Sequence, residues 1–247
     1  MIRLKNDADI AAMRAAGKVL RRALDKAGAA VRPGVTTGEL DVVVRESIES
    51  EGARPAFRGY HGFPGSACIS VNEAVVHGIP GEQVLKEGDL VSIDVGVEKD
   101  GYYADACETF AVGQISPAAA RLMDVTRQSL AAGIAQARPG GRLGDISHAV
   151  QVFVEAHGYT VVRELVGHGI GWALHEEPQV PNFGPPGKGP ELVPGLVLAI
   201  EPMVNEGREA VRTLADDWTV VTADGKLSAH FEHTVAITAD GPVILTA

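Results

Sequence analysis

A chain of 247 residues with 45% hydrophobic and 22% charged side chains has the make-up of a globular enzyme with a sizeable core, in one large domain or two intimately packed small ones. Its net charge of −10 excludes a phosphate-binding face as the main function, since nucleic-acid contacts need clustered Lys and Arg; the nearest cluster, Lys18 to Arg22, reads as a solvated helix face. Two cysteines give no disulfide framework, the charged start Met1-Ile2-Arg3-Leu4-Lys5 is no secretion signal, and no apolar run approaches the ~20 residues that span a bilayer, so a cytoplasmic protein is expected.

Apolar residues at helical spacing (Met13, Val19, Leu20, Leu24) predict a first helix over residues 11–30, closed by Arg32-Pro33-Gly34. Thr37 reads as the N-cap of a second helix running to Glu51. Strands are expected at 67–71, 90–97 and 102–112, the last two joined by the turn Lys99-Asp100-Gly101. A second pair of helices, 117–137 and 145–156, precedes strands at 161–166, 197–204, 218–222 and 228–238. The Pro- and Gly-rich stretch 178–194 reads as a surface loop and Ala223-Asp224-Gly225-Lys226 as a hairpin turn. The expected class is α/β in the loose, α+β sense, with antiparallel strands in the middle and two helix pairs outside.

The order of elements repeats. Arg32-Pro33-Gly34 followed by Gly38-Glu39-Leu40 recurs as Arg138-Pro139-Gly140 followed by Gly144-Asp145-Ile146. Asp94 and Glu201 fall almost in the same register, and Thr109-Phe110-Ala111-Val112 has a counterpart in Thr234-Val235-Ala236-Ile237. One catalytic domain over 1–247 is expected, built from two similar halves of roughly 1–113 and 114–247.

Four carboxylates stand inside or at the end of runs that otherwise read as buried strands: Asp94, Asp105, Glu201 and Glu232. An ionised carboxylate there is strongly disfavoured unless it is paired or holds a metal, and no Lys or Arg lies in those runs. Taken singly, such an acid is more often a salt-bridge partner or an edge residue. Four of them, two from each half, point to divalent cations and a two-metal hydrolytic centre. His77 and His168 both sit in His-Gly-Ile segments and His175 follows in His175-Glu176-Glu177-Pro178. Glycine beside histidine lets backbone, metal or substrate come close. His230 shares a strand face with Glu232 and is a candidate supporting residue, whereas His148 and His157 read as helix surface. Nucleophile elbow, Walker loop and dinucleotide fingerprint are absent, and Cys68 reads as pocket wall rather than nucleophile.

The ordered set His77-Gly78-Ile79-Pro80, Asp94, Asp105, Gly167-His168-Gly169-Ile170-Gly171, His175-Glu176-Glu177-Pro178, Glu201-Pro202-Met203 and Glu232-His233-Thr234 resembles the type I methionine aminopeptidases of the M24 "pita-bread" metallopeptidases. The resemblance covers nearly the whole chain and implies the pita-bread fold, whose halves are related by a pseudo-two-fold axis. It implies that Asp94 and Asp105 hold one divalent ion (Co, Mn, Fe or Zn), that His168 and Glu201 hold a second, and that Asp105 and Glu232 bridge them. Water activated there would attack the first peptide bond of a methionyl peptide, with Glu201 carrying the proton, His175 stabilising the oxyanion and His77 beside the scissile amide. Tyr60, Phe63, Cys68, Leu174 and Trp218 would line the methionine pocket; Phe63 stands where the family often has Tyr, and Leu174 where it often has Phe. The implied substrates are nascent polypeptides with a small second residue, met by a monomer that associates with ribosomes, with no membrane or direct nucleic-acid partner. A pita-bread binding module without catalysis, or an X-Pro dipeptidase of the same fold, is the alternative.

Overall fold

The computed structural model describes the whole chain, Met1–Ala247. Helix α1 (Asp7–Ala30) starts at a capping box in which Asn6 Oδ1 accepts from the Asp9 amide (3.0 Å) and Asp9 Oδ2 accepts from the Asn6 amide (2.9 Å). Its buried stripe of Met13, Ala16, Leu20, Leu24 and Ala27 lies on the long hairpin formed by strands Leu90–Lys99 and Tyr102–Ala111. Helix α2 (Thr37–Glu49) packs on α1. Its N-cap is Thr36, not Thr37: Thr36 Oγ1 accepts from the Glu39 amide, while the Thr37 hydroxyl is occupied by Gly81.

The second helix pair is α3 (Pro117–Gln136), capped by Ser116 with Pro at its first position, and α4 (Leu143–Ala156). It packs on the strands of the second half. The loops leading into α2 and α4 are anchored alike. The Gly34 amide donates to the Leu85 carbonyl at 2.8 Å and the Gly140 amide to the Leu192 carbonyl at 2.8 Å. Isolated bridges Thr36–Val84 and Arg142–Glu191 follow at equivalent places.

The expected strands 197–204 and 228–238 are each broken in two. Strand Val197–Ile200 pairs with His233–Thr238, then the chain kinks at Glu201-Pro202, and Met203–Asn205 pairs with Ser228–His230 in a different sheet. Pro202 has no N–H to give to a ladder, and Phe231-Glu232 breaks the partner strand opposite it. The expected strand 161–166 is likewise only Thr160–Val161 before Gly167–Gly169. Strands Ala74–Val76, Glu176–Val180, Val211–Thr213 and Gly241–Ile244 are additional to the sequence reading, and Glu176–Val180 claims the start of the stretch read as loop. The turn at 223–226 joins strands that do not pair with each other, so it is not a hairpin turn.

Two threonines join the halves. Thr234 Oγ1 donates to the Asp105 carbonyl (2.8 Å) and accepts from the Asp105 amide (2.9 Å). Thr109 Oγ1 donates to the His230 carbonyl (2.8 Å) and accepts from the His230 amide (2.9 Å). A β-branched side chain thus takes the place of a backbone ladder where the outer strands kink apart, and the Glu232 amide donates to the Cys107 carbonyl between them at 2.9 Å.

Candidate metal centre

The first acids come from one hairpin. In its register Asp94 faces Cys107 and Gly96 faces Asp105, so both carboxylates project from the same face, diagonally across the pair. Strand Cys68–Val71 adds Cys68 beside Asp94. Glu201 and Glu232 sit in the two strand breaks and line the same cavity as the hairpin's acids. Glu232 and His230 face the acid site while Phe231 and His233 line a different cavity, so the face expected for Glu232 carries across the break at Phe231-Glu232.

Asp105, His168 and Glu232 are buried (4%, 8% and 3% exposed) and bring one ligand atom each within 4.8 Å of one another. His168 Nε2 lies 3.8 Å from Asp105 Oδ2 and 3.7 Å from Glu201 Oε1. His230 Nε2, buried and without a hydrogen-bond partner, faces Glu201 Oε2 at 3.8 Å. The glycines around His77 and His168 have a steric reason. A Cβ on Gly78 would stand 2.2 Å from the Ile69 carbonyl oxygen, and one on Gly169 would stand 2.2 Å from that of Glu177.

All twelve residues named from the sequence line one cavity of about 160 Å³ together with Phe57, which sequence reasoning missed. Phe57 stands three residues before Tyr60, and that aromatic spacing was the available signal. It packs over Gly96, where a Cβ would meet its ring at 2.6 Å. One end of the cavity is acidic. The other is apolar, with Phe63 edge-on to Trp218 (5.1 Å between centroids), Leu174 and Cys68. Burial and neighbouring acids push the Cys68 thiol well up, which suits a wall and not a nucleophile.

No Lys or Arg lines this cavity. Asp94 Oδ1, Asp105 Oδ1 and Glu232 Oε1 are buried with no hydrogen-bond partner. Burial pushes the Asp94 carboxyl up to about 7, and burial followed by mutual repulsion raises Asp105, Glu201 and Glu232 above the usual carboxylate range. His168 is held down to about 3 by burial and then by His175, so its imidazole is neutral and has a lone pair to give. Orphaned carboxylate oxygens beside a neutral imidazole are a donor set for divalent cations, oxygen-rich with one nitrogen. The residues fit the group.

Comparison with known proteins agrees with that chemistry. The model of metallopeptidase family M24 matches residues 11–239. The chain is 56% identical to a methionine aminopeptidase of Clostridium perfringens over 246 residues, covering 100% of this chain and 99% of the relative. It is 53% identical to methionine aminopeptidase 1 of Bacillus subtilis, again over 100% of this chain and 99% of the relative. The crystal structure of a methionine aminopeptidase from Thermotoga maritima superposes with a TM-score of 0.98 at 47% identity, covering 100% of this chain and 99% of that one. A prolidase from Pyrococcus furiosus shares the fold (TM-score 0.81, 21% identity, 99% of this chain and 65% of that one). With its pita-bread architecture and metal-ligating cavity, the chain belongs to metallopeptidase family M24, among its methionine aminopeptidases.

Proposed function

We infer that this chain removes the N-terminal methionine from polypeptides. The observation that carries the reading is the single cavity in which four buried or half-buried carboxylates without a counter-cation adjoin an apolar recess. The chain works as one catalytic unit over 1–247, its halves at roughly 1–113 and 114–247, a division supported by the matching loop anchors and the threonine seam.

Asp94 and Asp105 would hold one divalent ion and His168 and Glu201 a second, with Asp105 and Glu232 serving both; Mn, Fe, Co and Zn all tolerate such a donor set. Bound there, the ions supply Lewis acidity and bring the pKa of water toward neutrality. Phe63, Cys68, Leu174 and Trp218, with Tyr60 at the edge, receive the methionine side chain and exclude water from it. His77 stands over the scissile amide. His175 Nε2 donates to the carbonyl oxygen as negative charge develops. Glu201 carries the proton from the attacking water to the leaving amine. The apolar recess receives the first residue, and the preferred second residues are small. The substrates are methionyl peptides and nascent polypeptides, which places the reaction in the cytoplasm, on a monomer that works at the ribosome.

The test is release of methionine from Met-Ala-Ser by chelator-stripped protein titrated separately with Mn, Fe, Co and Zn. Metal-restored cleavage of Met-Ala-Ser, with Met-Leu-Ser spared, is the expected result. Silence with every metal would remove the catalytic reading and favour a non-catalytic binding module; cleavage of X-Pro dipeptides instead would favour the dipeptidase.

A further inference from the structure

His168 and His175 stand with ring centroids 4.2 Å apart, and Nδ1 of each meets a different kind of partner. His168 Nδ1 lies 2.9 Å from the Gly169 carbonyl oxygen. A carbonyl only accepts, so that nitrogen carries the ring proton, and Nε2 turns its lone pair toward Asp105 and Glu201.

His175 Nδ1 instead lies 2.8 Å from Tyr60 Oη. Here a phenolic hydroxyl meets an imidazole ring nitrogen at hydrogen-bond distance. Between these two, the phenolic O–H is the stronger donor and the pyridine-type ring nitrogen the stronger acceptor. The reverse arrangement would also leave the hydroxyl proton without a protein acceptor, since Tyr60 Oη has no other side-chain or backbone partner. The O–H therefore donates to Nδ1, and the ring proton stays on Nε2.

The backbone holds Tyr60 to this task. The Tyr60 amide donates to the Phe57 carbonyl (2.9 Å), the Phe63 amide to the Tyr60 carbonyl (2.9 Å) and the Gly59 amide to the Phe63 carbonyl (2.8 Å). Within that tight loop His61 is left-handed at φ 48°, a strained conformation for a residue with a Cβ, of the kind found where surrounding structure over-determines a site.

We propose that Tyr60 is a positioning residue that fixes His175 as its Nε2–H tautomer, so that two touching histidines are set oppositely, His168 to give a lone pair and His175 to give a proton in a hydrogen bond. That the His175 Nε2–H then serves the scissile carbonyl rests on the function proposed above; the tautomer itself does not.

The experiment is ¹H–¹⁵N correlation NMR of zinc-loaded protein labelled at the imidazole nitrogens, with His175 assigned by the signals lost in His175→Gln. A pyrrole-type Nε2 and a pyridine-type Nδ1 at His175 are expected, with redistribution toward Nδ1–H in Tyr60→Phe. Alongside, Tyr60→Phe lowers kcat by about 10- to 100-fold, the usual cost of losing a partner that orients an active-site histidine, with KM and metal content little changed. Nδ1–H at His175 in the unsubstituted protein overturns the proposal, as does a tautomer unmoved by Tyr60→Phe. The spectrum of the unsubstituted protein decides even where Tyr60→Phe does not fold. If that protein shows Nε2–H at His175 yet releases no methionine, the proposed function fails and the tautomer assignment stands.

Discussion

Stripping the metal turns the acid cluster into a folding penalty whose sign with pH is unusual. For most carboxylates the folded pKa is depressed and stability falls on acidification. Here burial lifts Asp94 from 3.8 to about 7 and raises Asp105, Glu201 and Glu232 as well. A group whose folded pKa is raised contributes stability that is complete below its unfolded pKa and is lost as pH rises through the folded one. Ionising Asp94 in place is worth roughly 4 kcal/mol, and any carboxyl that keeps its proton across a window ties folding to proton uptake at about 1 kcal/mol per pH unit. Buried imidazoles act in the opposite sense. His168 and His230 are both held down to about 3, and their unfolded counterparts take up protons below about 6.5. Working between about pH 8.5 and 7 keeps that opposing contribution small. At about 2–4 °C per kcal/mol for a chain of this size, Asp94 alone raises the Tm of chelator-stripped protein by about 1 °C as the pH drops across that window, and the other raised acids add to it. Zinc-reloaded protein shows no such rise, because protons then compete with the ion for the same oxygens. Differential scanning calorimetry of both forms reads the effect. Asp105→Asn supplies a control: it weakens metal binding yet raises the Tm of the metal-free protein at pH 8.5, since it removes one buried ionisable group. A metal-free Tm that is flat or falls on acidification would refute the reasoning.

Three further outcomes test separate parts of the structure. His175→Ala lowers kcat by at least about 100-fold while metal content by elemental analysis stays intact; metal loss would show that its role is ligation instead. Lys5 and Glu176 form a 2.5 Å ion pair whose side chains are 1% and 7% exposed. Lys5→Met leaves the Glu176 carboxylate with only the Trp172 and Ala173 amides and costs roughly 3–5 kcal/mol in urea unfolding, whereas Lys5→Met with Glu176→Gln, which keeps an acceptor for those amides, recovers part of that; equal losses in single and double variants would contradict the pairing. Thr234→Val keeps the shape but leaves both Asp105 backbone groups unpaired, and chemical denaturation reads a loss of about 1–3 kcal/mol; an unchanged midpoint would mean that water replaces the hydroxyl.

The sequence by itself determined what depends on local period and on residue chemistry. The apolar spacing of α1 and the start of α3 at Pro117 are each written within a few residues, and so they were legible. The same holds for the chemical oddity of acids in apolar runs: Asp94 and Glu201 stand out because a carboxylate among Val, Ile and Leu must be compensated. The resemblance to a known family then gave roles that spacing alone leaves open. Tertiary structure decided where partners are far apart in sequence. Pro202 removes a ladder donor, but the kink opposite it at Phe231-Glu232 follows only from pairing with a strand some thirty residues away. Asp105 meets Glu232 because Thr234 and Thr109 replace a ladder between halves, and no local pattern encodes that seam. Phe57 joins the cavity because Gly96 leaves it room. The ring proton of His175 is likewise set from outside its own segment, by a tyrosine 115 positions away, whereas that of His168 is set locally by the next residue's carbonyl. Side-chain identity was available in one dimension, whereas the partners that set strand breaks, buried protonation and the His175 tautomer are brought together only by folding.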